Sequence, residues 1–263
     1  MHDIAFIFAG FFVGIVVGLT GVGGGSLMTP ILIFFFGVKP YMAVGTDLLF
    51  AAFTKLGGTV KTARSGLVDW RVVLHLSAGS LPAALVTLWV LKTIGPADAA
   101  VQHLMTSTLG VALLLTAAAT LYKTLRGKTS PQRVAAGQET QAATPRHWSL
   151  PLLFGVLIGT LVSLTSVGAG AIGVTVLMLL YPLLPLPRIV AADIAYAVPL
   201  TLVAGAGHAS LGSVDWPMLC LLLAGSLPGI WLGSHFMTRV PERVIRGLLS
   251  VLLAYAGVKL MVL

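Results

Sequence analysis

The sequence predicts an all-α fold, a polytopic bundle of membrane helices made of two inverted repeats. Three observations lead there. Hydrophobic residues make up 57% of the chain and charged residues only 9%, at a mean hydropathy of +0.99, so its surface could not be kept in water. The apolar runs have helix length, unlike the ~10-residue alternating strands of an outer-membrane barrel. The two halves of the chain also repeat each other at a constant spacing.

Ten apolar segments are expected, at 4–19, 26–37, 41–62, 72–92 and 101–122, then 149–164, 170–186, 189–207, 217–237 and 243–262. The second is too short for a ~30 Å hydrocarbon core at ~1.5 Å per residue. The count is therefore ten, or eight full spans with broken or re-entrant segments at the glycine-rich motifs. The run at 4–19 has no Lys or Arg before it and is read as retained rather than as a signal peptide. Cys220, the single cysteine, lies in an apolar run and reads as a small core residue.

The net charge of +8 would suggest nucleic acid in a soluble chain, but here the cations sit between segments, as the positive-inside rule requires. The densest stretch, Lys123 to His147, holds Lys123, Arg126, Lys128, Arg133 and Arg146 against Glu139. It reads as a cytoplasmic linker, dividing the chain into a first repeat at 1–122, the linker at 123–147 and a second repeat at 148–263. Alternate threading puts Lys61, Arg64, Arg71, Arg188, Arg239, Arg243 and Arg246 on the linker side, and Lys39, Lys92 and Lys259 opposite. Both termini then lie on the outer side of a bacterial inner membrane. Five segments per unit make the second unit enter from the opposite face.

The repeat is explicit in several motifs. Gly66-Leu67-Val68-Asp69-Trp70 recurs as Gly212-Ser213-Val214-Asp215-Trp216, and Ala78-Gly79-Ser80-Leu81-Pro82 as Ala224-Gly225-Ser226-Leu227-Pro228, both 146 residues later, the interval that also separates Asp47 from Asp193. One residue out of step, Leu19-Thr20-Gly21-Val22-Gly23-Gly24-Gly25 aligns with Leu164-Thr165-Ser166-Val167-Gly168-Ala169-Gly170. The glycines permit a chain break, and Thr29-Pro30 reads as an N-cap followed by proline at a helix start. A helix begun at membrane depth offers orphan N–H groups and a positive dipole end to an anion. Asp69 and Asp215 read as N-caps, Trp70 and Trp216 as interfacial anchors, and Pro82 and Pro228 as matched kinks.

The glycine-rich stretch GLTGVGGGSLMTP, the AVGTDLL that follows at Ala43 to Leu49, the GLVDW and GSVDW turns and the inverted layout resemble the sulfite exporter TauE/SafE family of membrane permeases. The resemblance spans nearly the whole chain outside the linker. It implies transport of a small sulfur-containing anion, such as sulfite or a sulfonate, across the bacterial inner membrane.

Candidate residues follow from this frame. Lys55 stands mid-segment, where a charge is costly and kept for a reason, with anion binding, gating and structural pairing as its readings. Thr20, Gly23, Gly24, Gly25, Thr46, Lys55, Ser166, Gly168, Gly170 and Thr201 form the expected substrate-binding set, with Ser163 and Thr165 as further hydroxyls near the second break. Any of these hydroxyls can instead bond its own helix backbone. Asp47, Asp193 and His208 are candidates for proton coupling. His75, His103 and His235 lack metal-ligand spacing, so no metal and no cofactor is expected. Expected partners are a small anionic substrate, membrane lipid and, compatibly, a second copy of the chain in a homodimer.

Two enzyme-like readings lack their motifs, and the intramembrane hydrolase, with Ser26 or Ser166 as nucleophile and His208 as base, stays a remote alternative. A nucleotide loop needs Lys-Ser/Thr after its glycines, where Ser26-Leu27-Met28 stands, and no Gly-x-Ser-x-Gly elbow supports an intramembrane hydrolase. A cation permease is the stronger rival, because Asp47 and Asp193 match between units; Lys55 and the helix starts argue for an anion.

Overall fold

The computed structural model describes residues 2–20, 25–126, 149–168, 170–182, 184–236 and 242–262. These form ten helices: α1 (His2–Thr20), α2 (Gly25–Phe36), α3 (Pro40–Arg64), α4 (Trp70–Ile94), α5 (Ala99–Arg126), α6 (Ser149–Thr165), α7 (Ala171–Leu180), α8 (Leu186–Ser210), α9 (Trp216–Phe236) and α10 (Glu242–Val262). The expected segments map onto them in order. Of the expected linker, 123–126 continue α5, and 127–147 lie outside the described residues. The segment at 170–186 is shorter than expected, since α7 ends at Leu180, where Pro182 disfavours further helix in the residue before it.

Among the described residues, Trp70–Ile94, Ala99–Leu121, Leu186–Ser210 and Trp216–Gly233 are long and apolar enough to cross a membrane by length and composition. Helix α3 has the length but carries Asp47, Lys55, Lys61 and Arg64, which lower its hydropathy. Its first half is instead enclosed by protein, with Ala43 to Ala52 buried without interruption, while Phe53, Leu56 and Val60 of the second half are exposed.

Helix directions follow from facing pairs. Gly10 abuts Leu222 and Gly14 abuts Ser226, so α1 and α9 run parallel; Gly155 abuts Leu76 and Gly159 abuts Ser80, so α6 and α4 do the same. Gly110 faces both Gly257 and Met261, while Gly257 faces Leu114, which makes α5 and α10 antiparallel. Gly45 meets His208 at one end of the α3/α8 pair, and the Thr59 hydroxyl bonds the Ile194 carbonyl at 3.4 Å near the other, so these too are antiparallel. Each unit thus lends its first helix to the fourth helix of the other. Parallel packing depends on glycine, because a methyl group at Gly10, Gly14, Gly159, Gly225 or Gly229 would strike the facing backbone.

The first two helices of each unit form a hairpin that folds back on itself. The ring of Phe36, the last residue of α2, stacks on that of Phe6 near the start of α1, with centroids 4.5 Å apart. Lys259, near the end of α10, lies over the adjacent Phe34 ring at 4.8 Å. Tyr181, directly after α7, lies within electrostatic reach of Asp69 at the start of α4, and α4 runs parallel to α6. Both short helices therefore return to the face from which their unit entered. The helix ends at one face carry Arg64, Arg71 and Arg188, and those at the other carry Lys39, Lys92 and Lys259.

The expected caps form. Asp69 Oδ1 accepts from the N–H groups of Arg71 at 3.1 Å and Val72 at 3.4 Å, and Asp215 Oδ1 from that of Met218 at 3.0 Å. Trp70 and Trp216 are each 55% exposed beside them, as anchors require. Pro82 and Pro228 lie inside continuous helices. The Thr29-Pro30 expectation is corrected: α2 begins at Gly25, with Pro30 inside it. Near a helix start proline removes only the bond back to Ser26, and the Thr29 hydroxyl is used elsewhere.

Candidate functional site

Helices α3 and α8 cross in the middle of the molecule, and the buried charged side chains of the described residues, Asp47, Lys55 and Asp193, belong to these two helices. Lys55 on α3 and Thr201 on α8 stand at equivalent positions of the two repeats, 146 residues apart. The repeat is broken chemically there, with a cation in one unit and a hydroxyl in the other.

Lys55 feels two carboxylates, Asp193 more strongly than Asp47. Asp47 lies eight residues away, ~12 Å of helix rise, and the lysine stem leans toward it because helical side chains point toward the N-terminus. The Thr29 hydroxyl donates to Asp47 Oδ2, while Asp47 Oδ1 has no hydrogen-bond partner. Ser166 lies beside the same carboxylate, its own hydroxyl without a hydrogen bond. Asp193 rests against the opening turn of α7, where any side chain at Gly173 would strike its Oδ1. Tyr196, fully buried on α8, lies close enough to interact with Asp193, and its hydroxyl is unbonded. Both aspartates thus face the starts of the broken helices, so the positive ends that could hold an anion already face the protein's own carboxylates.

The second break shows how a chain turns inside this assembly. Ser166 has φ 59°, the only non-glycine with positive φ among the described residues, and stands where the first break has Gly21. Gly168 and Gly170 follow at φ 132° and 147°, and Gly170 opens α7 with no side-chain cap. Thr165 accepts from the Val167 N–H at 3.1 Å and donates to the Leu161 carbonyl at 2.6 Å, closing the end of α6. Of the first break, Thr20 ends α1 and Gly25 begins α2; Gly23 and Gly24 lie outside the described residues.

The remaining candidates hold the fold together. The Thr46 hydroxyl accepts from the Asp215 backbone N–H at 3.1 Å, joining α3 to the start of α9. Thr201 donates to the carbonyl of Ala197 at 2.8 Å, and Ser163 to that of Gly159 at 2.8 Å. His208 is fully buried and its Nε2–H donates to the Ser163 carbonyl at 2.9 Å, which ties the end of α8 to α6 just before the break, while its Nδ1 is unbonded. Sequence reasoning missed Thr29, read as a cap, as well as Tyr196 and Gly173. Thr29 left a trace, since Thr175 stands at the matching place in the second repeat. An apolar cleft of about 540 Å³ between α4, α5 and α6, lined by Pro82, Val86, Val90, Leu104, Val156 and Leu164 among others, has no charged lining residue and lies apart from this cluster.

Comparison with known proteins gives the family. The family model described as sulfite exporter TauE/SafE matches residues 6–260. The chain is 35% identical to the probable membrane transporter protein YjnA of Bacillus subtilis (strain 168), over 98% of this chain and 99% of that one. It is 27% identical to the probable membrane transporter protein YdhB of the same organism, over 95% and 97%. No solved structure matches. Helical hairpins, an inverted repeat and buried charges on the paired helices α3 and α8 fit a membrane transporter rather than an enzyme, and the chain belongs to the sulfite exporter TauE/SafE family.

Proposed function

We propose that the chain carries a small sulfur-containing oxyanion, sulfite or an organosulfonate, outward across the bacterial inner membrane. The linker end, with its arginines, faces the cytoplasm, and both termini face outward. The observation that carries the reading is Lys55, buried on α3 within electrostatic reach of Asp47, which accepts from Thr29 of α2, and of Asp193, which rests against the first turn of α7. Lys55, the Ser166 hydroxyl and the backbone around Gly168 and Gly170 bind the anion from the second break. Thr20, Gly23, Gly24 and Gly25 contribute from the first by symmetry. Thr46 and Thr201 shape the site from helices that their hydroxyls already hold. Asp47, Asp193 and His208 are the interior groups able to exchange a proton.

A divalent cation permease is the second reading, favoured by the matched carboxylates Asp47 and Asp193. Against it, no group of three or more His, Cys, Asp or Glu able to hold a metal occurs among the described residues, and Lys55 opposes a cation. Flux of sulfite, methanesulfonate, chloride and divalent metals into liposomes containing the purified chain separates the two. Sulfite or sulfonate flux without metal flux is expected, and metal flux without anion flux overturns the proposal.

A further inference from the structure

Given an anion beside Lys55, as proposed above, the charges already enclosed there restrict what that anion can be. Two carboxylates, Asp47 and Asp193, face one ammonium, so the fully ionised cluster has one negative charge in excess. A monoanion entering it doubles that excess in an interior that screens charge poorly. Neutralising one carboxylate beforehand removes the conflict, and the loaded cluster then carries the same single negative charge as the empty one. A dianion would require both carboxylates to be neutral, leaving Lys55 with the dianion as its only counter-ion.

The two carboxylates are not equivalent. Asp193 exerts the stronger attraction on Lys55 and rests against the first turn of α7. Asp47 accepts from Thr29 through Oδ2, while Oδ1 makes no hydrogen bond of standard geometry and has the Ser166 hydroxyl beside the carboxylate, so a proton on Oδ1 leaves the Thr29 bond in place. The groups around Asp47 are Thr29 of α2, Ser166 of the second break and Lys55 of its own helix, and Lys55 in turn interacts with Asp193 of α8, beside Tyr196. Two neighbours at the same end are engaged: Asp215 of α9 accepts from Met218 N–H, and His208 gives its Nε2–H to Ser163. A protonated Asp47 would become a hydrogen-bond donor facing the Ser166 hydroxyl and the anion, where its ionised form repels.

We propose that the site selects monoanions, such as hydrogensulfite or an alkanesulfonate, and moves one proton with each, carried on Asp47. The proton comes from water on the loading side, forms the O–H bond at Asp47 Oδ1, and returns to water when the anion leaves on the far side. Because the cluster's charge is the same loaded and empty, the cycle is electroneutral.

The test uses the full chain in liposomes with an entrapped pH dye, the membrane potential clamped by potassium and valinomycin, and sodium replaced by choline. Methanesulfonate entry is expected to acidify the lumen by one proton per anion at any potential, with sulfate slower by about 10-fold or more. In Asp47→Asn, which preserves shape and the Thr29 bond, the ratio of protons to methanesulfonate carried is expected to fall from one to zero, whatever the remaining rate of methanesulfonate flux. Asp47→Glu, which keeps the acid, is expected to retain the ratio of one. Methanesulfonate flux without acidification, driven by potential or dependent on sodium overturns the inference and leaves the anion reading standing; an absence of any anion flux overturns both. Acidification that survives in Asp47→Asn removes Asp47 from the role. The stoichiometry of the unaltered chain decides the central claim even where a variant fails to fold.

Discussion

Lys55→Met separates the two jobs of the buried cation. Methionine nearly preserves the length and volume of the side chain and removes its charge. Loss of a charge-assisted hydrogen bond to the substrate is worth ~1.5–3 kcal/mol, which is roughly a 10- to 150-fold weaker Kd. The second loss is structural. Lys55 is 6% exposed, so solvent cannot replace it as partner of Asp47 and Asp193, and removing one side of such a buried pair costs about 3–5 kcal/mol. For a chain of this size that amounts to a fall in Tm of roughly 10 °C. Thermal unfolding in detergent, followed by tryptophan fluorescence and titrated with methanesulfonate, reads both quantities. Adding Asp193→Asn to Lys55→Met is expected to recover much of the Tm without recovering the affinity, because it removes the stranded carboxylate and restores no cation. A Lys55→Met chain that binds and carries methanesulfonate with unchanged affinity and rate refutes Lys55 as a substrate ligand.

Other outcomes follow from single contacts. Gly14→Leu forces a side chain into the Ser226 backbone and is expected to lower stability by about 1–3 kcal/mol or more, read as a lower Tm or loss of the monodisperse peak in gel filtration. Thr46→Val leaves the Asp215 N–H without its acceptor and should cost ~1–3 kcal/mol with little change in substrate affinity, checked by the same melt. In a Cys220→Ser background, Phe6→Cys with Phe36→Cys is expected to be joined by a short bifunctional thiol reagent, because the two rings stack at 4.5 Å. Had α2 continued in the direction of α1, the two positions would lie about 40 Å apart along the helices, and an absence of cross-linking would contradict the α1–α2 hairpin.

Much of the architecture was legible because the membrane imposes it. A run of apolar residues must be helical where no water can satisfy the backbone, and the 146-residue interval between matching motifs announced the inverted repeat. The charge asymmetry was equally legible, since Arg64, Arg71 and Arg188 gather at one face. What stayed ambiguous was the path of α1 and α2. A re-entrant pair and two crossings separated by a break differ in how many times the membrane is crossed, a distinction that hydropathy does not encode. The Phe6–Phe36 stack and the Lys259–Phe34 contact show that α2 folds back along α1, a geometry both paths share.

The candidate site divides the same way. Lys55 and the matched aspartates stood out in the sequence because a charge inside an apolar segment is expensive and needs a reason. Their relation did not, since Asp193 meets Lys55 only because α3 and α8 cross, and spacing along one helix says nothing of what the facing helix brings. Hydroxyls were the least legible. Thr29 looked like a helix cap and is instead the donor to Asp47; Thr201 looked like a ligand and spends its hydroxyl on its own helix. A threonine can bond wherever an acceptor lies within reach, so its role is fixed by packing. The sequence by itself determined the membrane setting, the helices, the repeat and the charges that must be enclosed. The tertiary structure alone decided which helix of one unit packs on which helix of the other, through glycine faces that admit backbone contact, and so which buried groups face one another.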